Sequence, residues 1–491
     1  MNKLKKTLAL VATLAIASTA FVACNDDSKP ADSSSKPADS SSQTDDSSKT
    51  DDSSKADEAA VNKFKDDDKT LSILCWSPDD ITKMIENFTD TTGKYGDVAV
   101  EYVNVGSKGQ EAREQYVTYF AGDKDVDLFV LEADWILEYI DNDDYTAPIT
   151  DLGFKADDFK GNYAYTLATG TNANGVLKGV SWQATPGAYV YRTDLAEQYL
   201  GVKSSAEMQE KVKDWDTLLA TAKTVKEASD GKCAVVDTLG GLWQVYSYNR
   251  TQAWVDSDDK LVVDDYCKEY ADIAKTLWDE GYVTKEGQWT DGWNTIGPEG
   301  KTLGYFFCTW CLGKGGMLET VSGGMDDKGT PGDSSDDVPK NPDLYGKYDI
   351  CAGPSFWAWG GSWLAVSPKC NTGSAAHDFV NYFTVDEKSM EEYALFKGEF
   401  VNNPTVMKKI VDDKSNKNAM LGGNDQFAVL YDSASKIDMD GKITAYDAQI
   451  KDAFNKSIES YVKGEKGYGS YDEMITEFKK KAAAIEGITV E

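Results

Sequence analysis

The chain has 491 residues, enough for two or three domains once unstructured parts are set aside. Its 83 acidic residues against 51 basic ones give a net charge of -32, which repels nucleic acid and anionic membrane. Only Arg113, Arg192 and Arg250 could fork onto a phosphate or carboxylate, and His377 is the sole histidine. The composition therefore excludes His-rich metal sites, calls for no cofactor, and points to a neutral ligand.

Residues 1–24 have the form of an export signal, with Lys3, Lys5 and Lys6 ahead of an apolar core from Leu8 to Ala20 that is too short to span a bilayer comfortably. It ends FVAC. A small residue before Cys24 resembles the lipobox of bacterial lipoproteins, in which that cysteine takes a diacylglyceryl group; ordinary signal cleavage is the alternative, since Phe21 stands where leucine is usual. Residues 25–68 are Ser, Asp, Lys, Pro and Thr in near-repeats such as TDDSSKTDDSSK, with too few apolar residues to bury a core. Such a segment spans roughly 35 to 40 Å as a flexible coil and reads as a tether.

Folding is expected from Leu71 to Trp76, a strand by its apolar run. A helix follows, with Ile81, Met84, Ile85 and Phe88 on one face and Gly93 as its stop. Strands at 98–103 and 126–131 and helices at 111–120 and 135–140 repeat the alternation, which implies a largely parallel sheet covered on both faces. In such sheets ligands sit beyond the carboxyl ends of the strands. Trp76 lies there after the first strand, and Glu132, Asp134 and Trp135 after the third.

Further along, Gly175 to Leu195 (GVLKGVSWQATPGAYVYRTDL) places Trp182 and Gln183 on a short strand before Pro186-Gly187. Helices are expected at 215–228 and 266–282, an apolar strand in TLGYFFCTWC (302–311), a surface loop over 323–343, and amphipathic helices to the end. The most unusual stretch is GPSFWAWGGSWLAVSPKC, Gly353 to Cys370, where Trp357, Trp359 and Trp363 flank Gly360-Gly361. Glycines there mark a bend, and the indoles are either a binding surface or a core corner.

The runs VDLFVLEADWILEYID and GVLKGVSWQATPGAYVYRTDL, followed by GLWQVYSYNRTQAWVD (241–256), TLGYFFCTWC and the Trp-rich stretch, resemble the carbohydrate-type, family 1 extracellular solute-binding proteins of ATP-binding-cassette importers. That family includes the maltose-binding protein. The resemblance covers Leu71 to the end and rests on the order of many weak motifs. It implies an α/β, two-lobed periplasmic-binding-protein-like fold of type II, each lobe a mainly parallel sheet flanked by helices. Lobe 1 is expected over 69–184 and 362–425, and lobe 2 over 185–361 and 426–491. Hinge strands join them, and a sugar is held in the cleft.

A sugar ring offers an apolar C–H face and a rim of hydroxyls, matched by an indole with carboxylates and amides at its edge. The candidates are Trp76, Trp135, Trp182, Trp243, Trp310, Trp357, Trp359 and Trp363, with Glu132, Asp134 and Gln183 at the rim. By resemblance Trp310 matches the family's Gly-Pro-Trp aromatic, with Cys308-Thr309 replacing Gly-Pro, and Tyr446 is the nearest match to a further cleft aromatic. Trp215 and Trp278, at helical spacing, read as core.

Cys308 and Cys311 form C-x-x-C, read as a disulfide or two buried thiols and not as zinc or a redox centre. The run KIDMDGKITAYD (Lys436–Asp447) half matches a calcium loop, but lysine at its first ligand position favours a turn. The expected function is a monomeric, lipid-anchored, extracellular binder that delivers a neutral oligosaccharide to a membrane permease. Two rivals stand beside it. A surface glycoside hydrolase would need two carboxylates roughly 5 to 10 Å apart, for which Glu132 and Asp134 diverge, and a peptide receptor would need Arg250 for a terminal carboxylate.

Overall fold

In the computed structural model the described residues are 61–105, 110–122, 124–326, 328 and 337–491. The export signal, Cys24 and the tether as far as residue 60 lie outside them. The strands are β1 (Thr70–Cys75), β2 (Lys94–Tyr95), β3 (Val98–Asn104), β4 (Leu128–Glu132), β5 (Gly179–Ser181), β6 (Gly187–Arg192), β7 (Gly304–Cys308), β8 (Met325–Asp326), β9 (Val338–Pro339), β10 (Tyr348–Cys351) and β11 (Ser362–Val366).

The first sheet has the order β2-β3-β1-β4-β11-β5. Its centre, β3-β1-β4, is parallel, because the helices Pro78–Phe88 and Gln110–Ala121 carry the chain back between strands. Leu71, Ile73, Leu128 and Val130 are fully buried in it, as their apolar runs require. The first helix buries Ile81, Met84, Ile85 and Phe88 as the spacing predicts, but it stops at Phe88. Asp90 and Thr91, both left-handed, turn the chain before Gly93 is reached. Strand β11 enters antiparallel between β4 and β5, so the chain returns to the first sheet at Ser362–Val366.

The second sheet, β10-β6-β7, corrects the expectation of mainly parallel strands, since all three pair antiparallel. Parallel partners do exist beside it. The segment around Ala234–Val236 meets Thr302 and Val283 through single parallel bridges, with the helices Leu239–Ser247 and Asp265–Asp279 as crossovers. Helix Trp215–Ala228 has the bounds its sequence implies, started by Asp214, whose side chain accepts from Thr217 N.

Three segments run side by side between the sheets. Trp357 and Thr185 carbonyls accept from Gly187 N (2.7 Å) and Trp359 N (3.0 Å). On the other flank Ala184 N donates to Phe400 O and Asn402 N to Trp182 O, both at 3.0 Å. These short pairings form the hinge.

Two further differences concern the periphery. Asn62 to Asp66, inside the stretch expected to be tether up to Asp68, are docked on the first lobe. Phe64 packs on the first core, Asn62 Nδ2 donates to Gly373 O (2.8 Å), and Asp66 accepts from Ser374 N (2.8 Å). Gly373 makes the space, since a Cβ there would meet Phe64 O at 2.7 Å. Within the expected surface loop, β8 and β9 pair as a short antiparallel ribbon.

Candidate functional site

The Trp-rich stretch sends its three indoles to three places. Trp357 is fully buried in the second lobe, its ring so close to Gly187 that a Cβ there would lie 2.0 Å from it. Trp363 is buried in the first lobe, donating from Nε1 to Thr166 O at 2.9 Å. Between them Gly360 (φ 64°) and Gly361 (φ 118°) hold left-handed backbone that breaks the strand alternation. Trp359 alone of the three faces the other candidates.

Trp310 sits in the one-turn helix Thr309–Leu312 directly after β7. Its Nε1 donates to Trp359 O at 3.0 Å, and the two rings meet edge to face with centroids 4.8 Å apart. Gly360 brings the first lobe to this pair, for a Cβ there would lie 3.6 Å from Glu132 Oε1 and 3.9 Å from Trp310 Nε1. Glu132, at the end of β4, and the Trp310 indole edge thus both flank Gly360. Its Oε2 accepts from Asp134 N at 2.8 Å. Burial, with the Asp134 carboxylate as a second cause, pushes the Glu132 carboxyl up to about 8. A carboxyl raised in this way holds its proton to higher pH than an ordinary one, and in that form it donates as well as accepts.

Charge crosses the cleft beside it. Lys451, on the helix Asp447–Val462, holds Asp134 of the first lobe at 2.9 Å and Asp447 at 3.8 Å. Burial works against the Lys451 charge, but the two aspartates outweigh it and raise its pKa. Arg250 is buried against Asp447 at 2.8 Å. Asp134 and Trp135 on one side and Tyr248, Ile443, Asp447 and Lys451 on the other line a cavity of about 20 Å³. That is room for one water molecule and no sugar ring, so the lobes stand closed on one another here.

The remaining candidates do not join this group. Trp182 is fully buried in the core at the hinge, and Gln183 beside it is buried too. Trp135 is buried edge-on against Tyr116 and Tyr139, with only its margin lining the cavity. Trp76 is half-buried on the same cluster. Trp243 packs against Tyr270 and Phe454 in the second core, and the Tyr446 hydroxyl lies against Gly487. Faces covered in this way by protein cannot receive a ring, which is why Trp182, Trp357 and Trp363 are corrected to core residues, while Trp243 stays half-buried on the second core. Trp215, read as core, stacks on Tyr246 at 4.7 Å.

The residue that sequence reading missed is Trp289. It is 58% exposed, has a left-handed φ of 68°, and contacts Trp293, Trp310 and Trp359 at centroid distances of 5.3, 6.2 and 5.9 Å. Beneath it Trp293 is fully buried and donates from Nε1 to Asp237 at 2.8 Å. The Asp237 carboxyl, also fully buried, is pushed up to about 7 by that burial.

Cys308 and Cys311 are buried free thiols with sulfurs 3.8 Å apart, and Cys308 Sγ donates to Trp359 O at 3.7 Å. Of the two readings of this motif, the structure holds buried thiols. The calcium-like run ends with Asp447 spent on Thr444 and Arg250, and no cluster of three metal-binding side chains occurs among the described residues.

Two sheets joined by paired hinge segments, with a cleft of indoles and carboxyls between them, define a two-lobed binding protein. The chain belongs to the bacterial extracellular solute-binding protein family, whose model matches residues 77–390. It is thus an extracellular binder of solutes and not an enzyme. The fold is similar to that of an extracellular solute-binding protein of family 1 (TM-score 0.69, 17% identity, 84% of this chain and 100% of that one). It is also similar to the transporter-associated binding protein of B. animalis subsp. lactis Bl-04 in complex with β-1,6-galactobiose (0.64, 17%, 86% and 99%). The galacto-N-biose-/lacto-N-biose I-binding protein of Bifidobacterium longum, in complex with lacto-N-biose, gives 0.62 at 15% identity over 86% and 98%. No curated protein matches the chain.

Proposed function

We propose that the chain captures a neutral oligosaccharide between its lobes and delivers it to the permease of an ATP-binding-cassette importer, while acylated Cys24 and the Ser/Asp-rich tether hold it, as a monomer, on the outer face of the membrane. The observation that carries this reading is the meeting of Trp310 and Trp359 with Glu132 at Gly360. An indole covers an apolar sugar face for roughly 1 to 3 kcal/mol, and a protonated carboxyl serves hydroxyls as both donor and acceptor.

The cleft cations support a neutral ligand. Lys451 and Arg250 are both already engaged by Asp134 and Asp447. A peptide receptor loses its candidate, because Arg250 is buried on Asp447 and Lys442 O. The similar binding proteins solved with galactobiose and lacto-N-biose support a sugar as the solute class. The Asp134–Lys451 pair at 2.9 Å, beside a cavity with no room for a sugar ring, supports a capture in which the lobes part about the hinge and close again on the ligand.

Intrinsic tryptophan fluorescence and thermal shift of the full-length protein against neutral oligosaccharides, charged glycans and short peptides test this. A saturable response to a neutral glycan class, weakened in Trp310→Ala, supports the reading. A response to peptides alone overturns it.

A further inference from the structure

Resting on the proposed sugar-binding function, we propose that Trp289 and Trp310 form a sandwich subsite for one terminal pyranose whose ring substituents are all equatorial, with Trp289 as the plate that moves to admit it. The two indoles are nearly parallel, 14° apart in plane, with centroids 6.2 Å apart. A carbon ring between two aromatic faces needs about 3.5 to 4 Å on each side, hence roughly 7 to 8 Å between plates. Centroids 6.2 Å apart put the two planes at most that far from one another, so the present gap falls short by an ångström or more.

Only one plate is free to supply that distance. Trp310 is pinned by its Nε1 bond to Trp359 O and by the edge of the Trp359 ring. Trp289 is 58% exposed, in the turn between Gly287 and Thr290, where Thr290 caps the helix Asp291–Ile296. Its left-handed φ is one that a bulky side chain rarely takes, and such outliers gather at ligand clamps. Leaving a large indole exposed on an αL backbone costs stability, and a ligand covering its free face would offset that cost.

The substrate class follows from having two plates. A single indole needs one apolar sugar face, whereas a sandwich needs both. Rings with every substituent equatorial carry axial C–H groups above and below, while an axial hydroxyl sets a polar group against one plate that cannot hydrogen-bond to it. The pair therefore selects gluco- or xylo-configured terminal units over galacto-configured ones.

The test uses the full-length protein with the β-linked cellotetraose and xylotetraose and their counterparts capped by a terminal galactose. Calorimetry reads affinity, and the far-ultraviolet exciton couplet of the paired indoles reads their separation. The expected result is a change in the couplet on binding, and an affinity lower by about ten- to a hundredfold in Trp289→Ala, with Trp289→Tyr recovering most of it. Trp289→Ala should also lose the preference against the galactose cap, while its unfolding temperature stays near that of the wild type. If a glycan binds, yet Trp289→Ala binds it equally well with no couplet change in the wild type, the sandwich is wrong and the sugar-binding function stands. If no neutral glycan binds at all, the function itself fails and the subsite with it.

Discussion

Glu132 carries the sharpest prediction at the scale of single residues. Its folded pKa, about 8 against an ordinary 4.5, makes it a hydrogen-bond donor through neutral pH. Affinity for a glycan that accepts this bond should fall by about three- to tenfold as pH rises past 8. Glu132→Gln keeps a donor at every pH and should flatten that profile, while Glu132→Ala should lower affinity throughout; calorimetric titration between pH 6 and 9 reads both. The candidacy of Glu132, Asp134 and Trp310 was legible because strand ends and a family match point to positions. The fate of the other indoles was not. Trp357, Trp359 and Trp363 stand two and then four positions apart, and the left-handed pair Gly360-Gly361 separates the indole that enters the first lobe from the two before it. Trp289 was missed because it sits in a turn, GQWTDG, outside any helical or strand period. A tryptophan in a glycine-flanked turn just before a Thr cap is the one signal that could have raised it.

At the scale of elements, the hinge rests on how closely its segments approach. Gly187 gives up its side chain so that the Trp357 ring can lie on its backbone. Gly187→Ala should cost about 1 to 3 kcal/mol by overpacking, and adding Trp357→Leu should recover part of that loss, as denaturant midpoints will show. The alternation of strand and helix in the first lobe was readable because both periods are local. The antiparallel second sheet was not, because strand sense depends on β6 and β10 meeting from opposite sides of the hinge, far apart in sequence. The same limit hid the docking of residues 62–66, where one aromatic, Phe64, outweighs a polar context by finding the notch at Gly373.

For the whole molecule, six carboxyls raised chiefly by desolvation, Glu132, Glu138, Asp237, Glu319, Asp349 and Glu399, tilt stability against rising pH. Glu132, at about 8, and Asp237 and Glu399, each at about 7, are raised above their ordinary values chiefly by burial. The native state thus holds protons that the unfolded chain releases, so their contribution to stability declines as pH rises from about 5 to 8. Asp194, lowered by its bond to Arg192, works the other way and loses its contribution only in acid below the ordinary 3.8. The unfolding temperature should accordingly be higher at pH 5 than at pH 8, and scanning calorimetry at the two values checks it. A net charge of -32 adds to the same trend as its repulsion grows.

The lobes themselves are latched by the Asp134–Lys451 pair. Lys451→Ala should shift the ligand-free protein toward an open form with a larger radius of gyration in X-ray scattering, and a binding glycan should reduce that radius again. The most direct measurement of the central claim is a crystal structure of the protein with a bound neutral oligosaccharide. The account predicts a sugar ring on the Trp310 face, a hydroxyl within hydrogen-bond reach of Glu132, and contacts from both lobes. A ligand held by one lobe alone, away from Trp310 and Glu132, would contradict it.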